Sequence, residues 1–182
     1  MASKGAELFC THCGKVWEMS ELGELKAKTG ETEFPHIPDW YEWERAQVKQ
    51  EIEEGRYHFS DKVLVRSLPN TKGYIELGIF DFVHDMQGFA VKGEYNGKPL
   101  EMVKSPQSLY SCHIEYEYLG KYGDCVDLNT LTDTWYCYPQ GGDFSVTKMA
   151  LATEELFQYY KNRGEKDRPS HPSPAELSQP IM

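Results

Sequence analysis

An α+β fold is predicted for this chain: a small cysteine-bearing hairpin, a linking helix, and an antiparallel β-meander closed by a C-terminal helix. Three observations predict it. A Cys-x-x-Cys-Gly turn stands at the start of "FCTHCGKVW", residues 9–17. About seven short runs between residues 61 and 138 alternate apolar and polar residues, with turn signals between them. One apolar stripe at helical spacing follows Ser145.

The first zone, residues 8–37, reads as a zinc knuckle followed by a hairpin. Val16, Trp17 and Met19 lead into "SELGELKAKTGE", where Gly23 and Gly30 mark turns between short strands. Residues 38–56 form the linking helix. Asp39 stands where it can cap the helix, with Glu42 three residues on, and Gly55 follows as a left-handed stop. Trp40 pairs with Trp43, while Tyr41, Val48 and Ile52 share a neighbouring strip.

Residues 61–163 carry the meander and its helix. "KVLVRSL", "GYIELGIFDFV", "FAVKG", "LEMV", "LYSCHIEYEYL", "CVDLN" and "DTWYCYP" are the seven runs. Asn96-Gly97 is a tight-turn signal before the fourth. Ile75, Leu77 and Ile79 are expected on one face of the second run. In the fifth, Tyr110, Cys112, Ile114, Tyr116 and Tyr118 oppose Ser111, His113, Glu115 and Glu117. Ser145 caps the closing helix, Val146, Met149, Leu156, Phe157 and Tyr160 form its stripe, and Gly164 ends it. By architectural analogy this is a pleckstrin-homology-like barrel of about seven strands, plugged by its helix. The tail at 164–182 is rich in Pro and Ser and reads as disordered.

Composition narrows the function classes. The 182 residues carry a net charge of −10, spread along the chain, so there is no basic footprint for nucleic acid. The same balance disfavours strong attraction to an anionic membrane. No apolar run approaches the ~20 residues needed to span a bilayer, and the N-terminus has no signal-peptide pattern. A cytoplasmic location is expected, with peripheral membrane contact allowed. Five cysteines in such a chain read as free or metal-bound thiols rather than a disulfide framework.

Cys10 and Cys13 can point two thiolates at one ion, and Gly14 lets the backbone curl so that amides approach the sulfurs. Structural zinc takes four ligands, and the chain has no second Cys-x-x-Cys. His36, 23 residues beyond Cys13, is the expected third ligand; His12, Cys112, His113 and Cys125 are the other candidates. A relic half-site, or completion by residues upstream in a longer parent chain, is the competing reading. The His36-Ile37-Pro38-Asp39 stretch also has a purely structural reading as a helix entry.

Other constellations are weaker. His84-Asp85 has the composition for acid–base work, though sequence neighbours usually point apart. His113 with Glu115 and Glu117 has metal-ligand chemistry on what also reads as a solvated sheet face. Gly141-Gly142 precedes a helix, but Asp143 opposes an anion there. Tyr110, Tyr116, Tyr118, Tyr136 and Tyr138 either line a pocket or simply pack.

Three segments together carry a resemblance: "CTHCGKVWEMSELGELKAKTGETEFPHIPDWYEWER", "GFAVKGEYNGKPLEMVKSPQSLYSCHIEYEYLGKYGDCVDLNTLTDTWYCYP" and "FSVTKMALATEELFQYY". Over most of residues 8–162 the chain resembles the C-terminal accessory region of bacterial lysophospholipid acyltransferase-like proteins, the 1-acyl-glycerol-3-phosphate acyltransferases of anaerobic Firmicutes. That family's catalytic signature is His-x-x-x-x-Asp. The residues five positions after the six histidines are Trp17, Tyr41, Val63, Phe89, Tyr118 and Glu176, so no catalytic residue carries over.

The resemblance implies an excised or stand-alone accessory domain, non-catalytic by itself. It would regulate or place an acyltransferase through a lipid or protein partner, such as an upstream acyltransferase domain. The alternatives are an enzyme with an unrecognised pocket using His84 or His113, and a zinc-dependent protein-interaction module unrelated to lipids.

Overall fold

The computed structural model describes residues 2–69, 73–118 and 122–166. It is α+β, with two helices and two antiparallel sheets. The chain divides into two compact units between Gln50 and Glu51.

The first unit holds β1 (Ala2–Lys4), β2 (Glu7–Phe9), β3 (Val16–Met19) and β4 (Leu25–Ala27), paired in that order. Where a knuckle and hairpin are expected, four strands of three or four residues form one sheet. Trp17 and Leu25 are its buried apolar side chains. The Trp17 ring meets Trp40 edge-on at 5.2 Å, and Phe34 lies 5.5 Å from Trp40 and 5.7 Å from Trp43. Aromatic pairs of this kind add specific geometry to plain area burial.

Helix α1 spans Ile37–Glu53. It begins before the expected cap, so Asp39 lies in its first turn, where its charge complements the helix dipole. Pro38 fits there too, because the first-turn N–H groups need no intrahelical acceptor. Gly55 stops the helix as expected, at φ +68°. Its N–H donates to Ile52 O at 2.9 Å, and the Arg56 N–H donates to Glu51 O at 2.8 Å. That bond pair is the Schellman pattern, which needs the left-handed residue glycine supplies.

The second unit is built on β5 (His58–Ser67), β6 (Ile75–Asp85), β7 (Gly88–Tyr95), β8 (Lys98–Lys104), β9 (His113–Glu115), β10 (Cys125–Asn129) and β11 (Thr134–Pro139). Their order is β8-β7-β6-β5-β11-β10-β9, antiparallel throughout. All seven expected runs contribute a strand. Alternation places Val63, Val65, Phe80, Phe82, Phe89, Val91, Val126, Leu128, Trp135 and Cys137 in one core with Met149 of α2 (Val146–Lys166).

The expected barrel is not closed. β8 and β9 remain the two edges of the sheet. The fifth run pairs over only three residues, and the side chains flanking β9 turn toward α2 instead. Tyr110 packs edge-on against Phe157 at 5.2 Å, Cys112 accepts from Thr153 Oγ1 at 3.3 Å, and the Tyr116 hydroxyl lies 2.6 Å from Thr147 Oγ1. Further along α2, Tyr160 donates to Met86 O at 2.8 Å in the β6–β7 turn. The helix thus spans from the β9 edge to the β6–β7 turn.

The second run also departs from simple alternation. Val65 pairs with Gly78 and Arg66 with Glu76, so Leu77 and Gly78 together oppose one residue. Gly78 adopts φ +113° at this bulge. Leu77 therefore packs with the core while Ile79 is exposed, which separates two residues expected on one face.

Ser145 caps α2 as expected: its Oγ accepts the Lys148 N–H at 3.2 Å. Ser145→Ala should cost about 1 kcal/mol of unfolding free energy, and Ser145→Asp should restore most of it. Urea titrations of the three chains check this; equal midpoints would show that the cap does not hold the helix. The helix continues past Gly164 to Lys166. Of the expected disordered tail, residues 167–182 lie outside the described residues. No helix among the described residues is long and apolar enough to cross a membrane.

Candidate functional site

The Cys10–Cys13 turn joins β2 to β3. The Cys10 N–H donates to Lys15 O and the Gly14 N–H to Cys10 O, both at 2.9 Å. Gly14 sits at φ +74°, in the left-handed region. This curl brings the Cys13 N–H to 3.5 Å from Cys10 Sγ. Backbone hydrogen bonds from Cys13 and then His12 hold the Cys10 thiol below its ordinary pKa.

His36 is exposed, forms an isolated bridge with Glu24, and accepts the Trp40 N–H on its carbonyl at 3.3 Å. Burial pushes the Cys112 thiol up to about 11 and the Cys125 thiol up to about 12. Among the described residues, no group of three or more His, Cys, Asp or Glu side chains is placed to hold a metal ion.

His84 is sealed in the core of the second unit at 1% exposure. Its ring stacks flat on Phe89 at 3.7 Å, and its Nδ1 lies 2.9 Å from the Tyr57 hydroxyl. Burial drives its pKa down to about 3. Asp85 points away, accepting the Gln87 N–H at 2.7 Å. The adjacent pair is therefore not an acid–base dyad.

His113 finds a partner that sequence reasoning missed. Register pairing sets Asp127 of β10 opposite it, and its Nδ1 lies 3.0 Å and 3.1 Å from the two carboxylate oxygens. Asp127 is buried while the imidazole is largely exposed. Glu115 lies farther off, at 3.8 Å. Glu117 falls beyond the strand end at φ +43°. At the Gly141-Gly142 loop, the Gly141 N–H already donates to Asp61 Oδ2 at 2.8 Å, so that amide is not free for a phosphate.

The tyrosines divide into two sets. Tyr110 and Tyr116 pack on α2. Tyr118, Tyr136 and Tyr138 meet Tyr74 and Tyr122 on the sheet face opposite the core, with ring centroids 5.2–6.4 Å apart. Arg66, one residue from core Val65, points into this cluster. Its guanidinium carbon lies 4.5 Å from the Tyr122 ring centroid and 5.4 Å from that of Tyr138. Its Nη2 lies 3.4 Å from Glu76 Oε2, a long contact that leaves further N–H donors.

Beside Arg66 opens a cleft of about 430 Å³, lined also by Leu64, Tyr122, Asp124, Tyr138 and Phe144. The Asp124 carboxylate is partly occupied, since its Oδ1 accepts the Glu117 N–H at 2.9 Å. Sequence reasoning named Tyr138 but neither Arg66 nor Tyr122. The readable signal was the outward parity of Arg66 on β5, opposite Tyr136 of β11. The chain matches no family model, no curated protein and no solved structure.

Proposed function

We propose that the chain is a non-catalytic accessory domain whose second unit holds an anionic group in the Arg66 cleft. One observation carries this reading: a guanidinium lying over two tyrosine rings at the edge of a cleft, with N–H donors left over. Aromatic contacts restrain an arginine side chain, and its planar fork recognises carboxylate or phosphate oxygens in pairs. The strand order, with the first and last strands side by side and a helix across the gap, supports a pleckstrin-homology-like plan left open. The resemblance to acyltransferase accessory regions points to a phosphomonoester of the lysophospholipid kind as the group held. The net charge of −10 favours recognition of one such head group over broad adsorption to an anionic membrane.

The test is a two-dimensional amide NMR titration with glycerol 3-phosphate. Shifts should cluster at residues 64–66, 122–124 and 138–141, and Arg66→Gln should weaken binding at least tenfold. No shifts, or shifts unchanged by Arg66→Gln, would contradict the reading.

A second reading rests on the His113–Asp127 pair, an exposed imidazole oriented by a buried carboxylate, which is an arrangement suited to general-base work. Acyl transfer by this chain alone, lost in His113→Ala, would favour it. The accessory-domain reading expects no turnover.

A further inference from the structure

We propose that the Cys10–Cys13 turn is half of a four-thiolate site for a thiophilic divalent cation such as Zn²⁺, completed by the same turn of a second copy of this chain. The turn is built for the task. Two backbone bonds close the loop, and the Cys13 amide points at the Cys10 sulfur. N–H···S bonds of this kind stabilise a thiolate and orient it as a ligand. Thr11, His12, Cys13 and Gly14 are all exposed, so the thiols can be approached from outside.

The Lys15 ammonium that follows the turn donates to Glu31 O at 2.6 Å and pairs with the Glu33 carboxylate, so its charge is neutralised within the unit. Among the described residues no third donor joins the pair, and a tetrahedral Cys₄ site needs two more thiolates. A two-fold contact supplies two identical thiolates from the same surface. Binding converts four thiols to thiolates, and their protons leave to solvent.

The experiment is a Zn²⁺ titration of the 182-residue chain, read by native mass spectrometry, with Co²⁺ as the spectroscopic probe. One ion per two chains, a doubled mass, and tetrathiolate cobalt absorption are expected. Cys10→Ser and Cys13→Ser should each lose the ion and the dimer while keeping the wild-type circular dichroism. His36→Ala should change neither. No uptake, one ion per single chain, or uptake retained by both serine variants would overturn the proposal. Arg66→Gln should take up metal normally, so failure of the cleft reading and failure of this one are distinguishable.

Discussion

Phe80→Ala should cost about 3–5 kcal/mol of unfolding free energy, because it deletes a ring that is 1% exposed and sits edge-on to Trp135 at 5.7 Å. The informative result is its coupling to Gly93. A Cβ added at Gly93 would stand 2.4 Å from Phe80 Cγ and 2.5 Å from Cδ1. The ring therefore lies on the glycine across β6 and β7, and no side chain fits beneath it. Gly93→Ala alone should cost about 2–3 kcal/mol through overpacking. In the Phe80→Ala background the same methyl has room and fills part of the cavity, so its cost should fall to near zero. The double-mutant cycle should then show a coupling of about 2 kcal/mol that favours the pair. Urea unfolding of the four chains measures it; simple additivity would mean that Phe80 does not cover Gly93.

The second large effect is on pH dependence. His84 is neutral in the fold, its pKa driven by burial from an ordinary 6.5 down to about 3. Between those values the unfolded chain takes up a proton at this position that the folded chain does not. Stability rises with pH wherever the unfolded state binds more protons. This group's contribution is therefore lost as pH falls below about 6.5, with a slope approaching 1.4 kcal/mol per pH unit. His84→Phe keeps a flat ring against Phe89 and removes the titration. Unfolding free energies at several pH values from 7.5 to 4.5 should be shallower for the variant by nearly that slope. Parallel curves would show that His84 is protonated in the fold. The variant also strips the Tyr57 hydroxyl of its imidazole partner, which should lower stability at neutral pH by about 1 kcal/mol.

The meander was legible because alternation is a strong signal where one face is buried. Val63 and Val65, Phe80 and Phe82, and Trp135 and Cys137 all fall on the core face by period two alone. The same rule misplaced Ile79 relative to Leu77, because a bulge adds one residue and reverses the parity beyond it. The glycine within "ELGIF" was the available clue. The fifth run alternates over eleven residues, yet only three pair. Its tyrosines have strand propensity, but α2 and the aromatic cluster compete for them, and tertiary contacts decide between those outcomes. The first sheet was hidden by strands of three or four residues, too short to show any period.

The candidate sites follow the same logic. The Cys10–Cys13 turn was readable because all of its geometry is local. The His113–Asp127 contact depends on the pairing of β9 with β10, and the Arg66 cleft collects residues from positions 64 to 144. No spacing rule links a β5 arginine to a tyrosine 56 positions later; only the folded register does.

Calorimetric titration of phenyl phosphate into the wild-type chain and Arg66→Lys tests the central claim most directly, because lysine keeps the charge and loses the planar fork. A guanidinium held over the tyrosines that recognises paired oxygens predicts saturable binding to the wild type and at least a tenfold loss in Arg66→Lys. Equal affinities for the two chains, or no binding to the wild type, would contradict it.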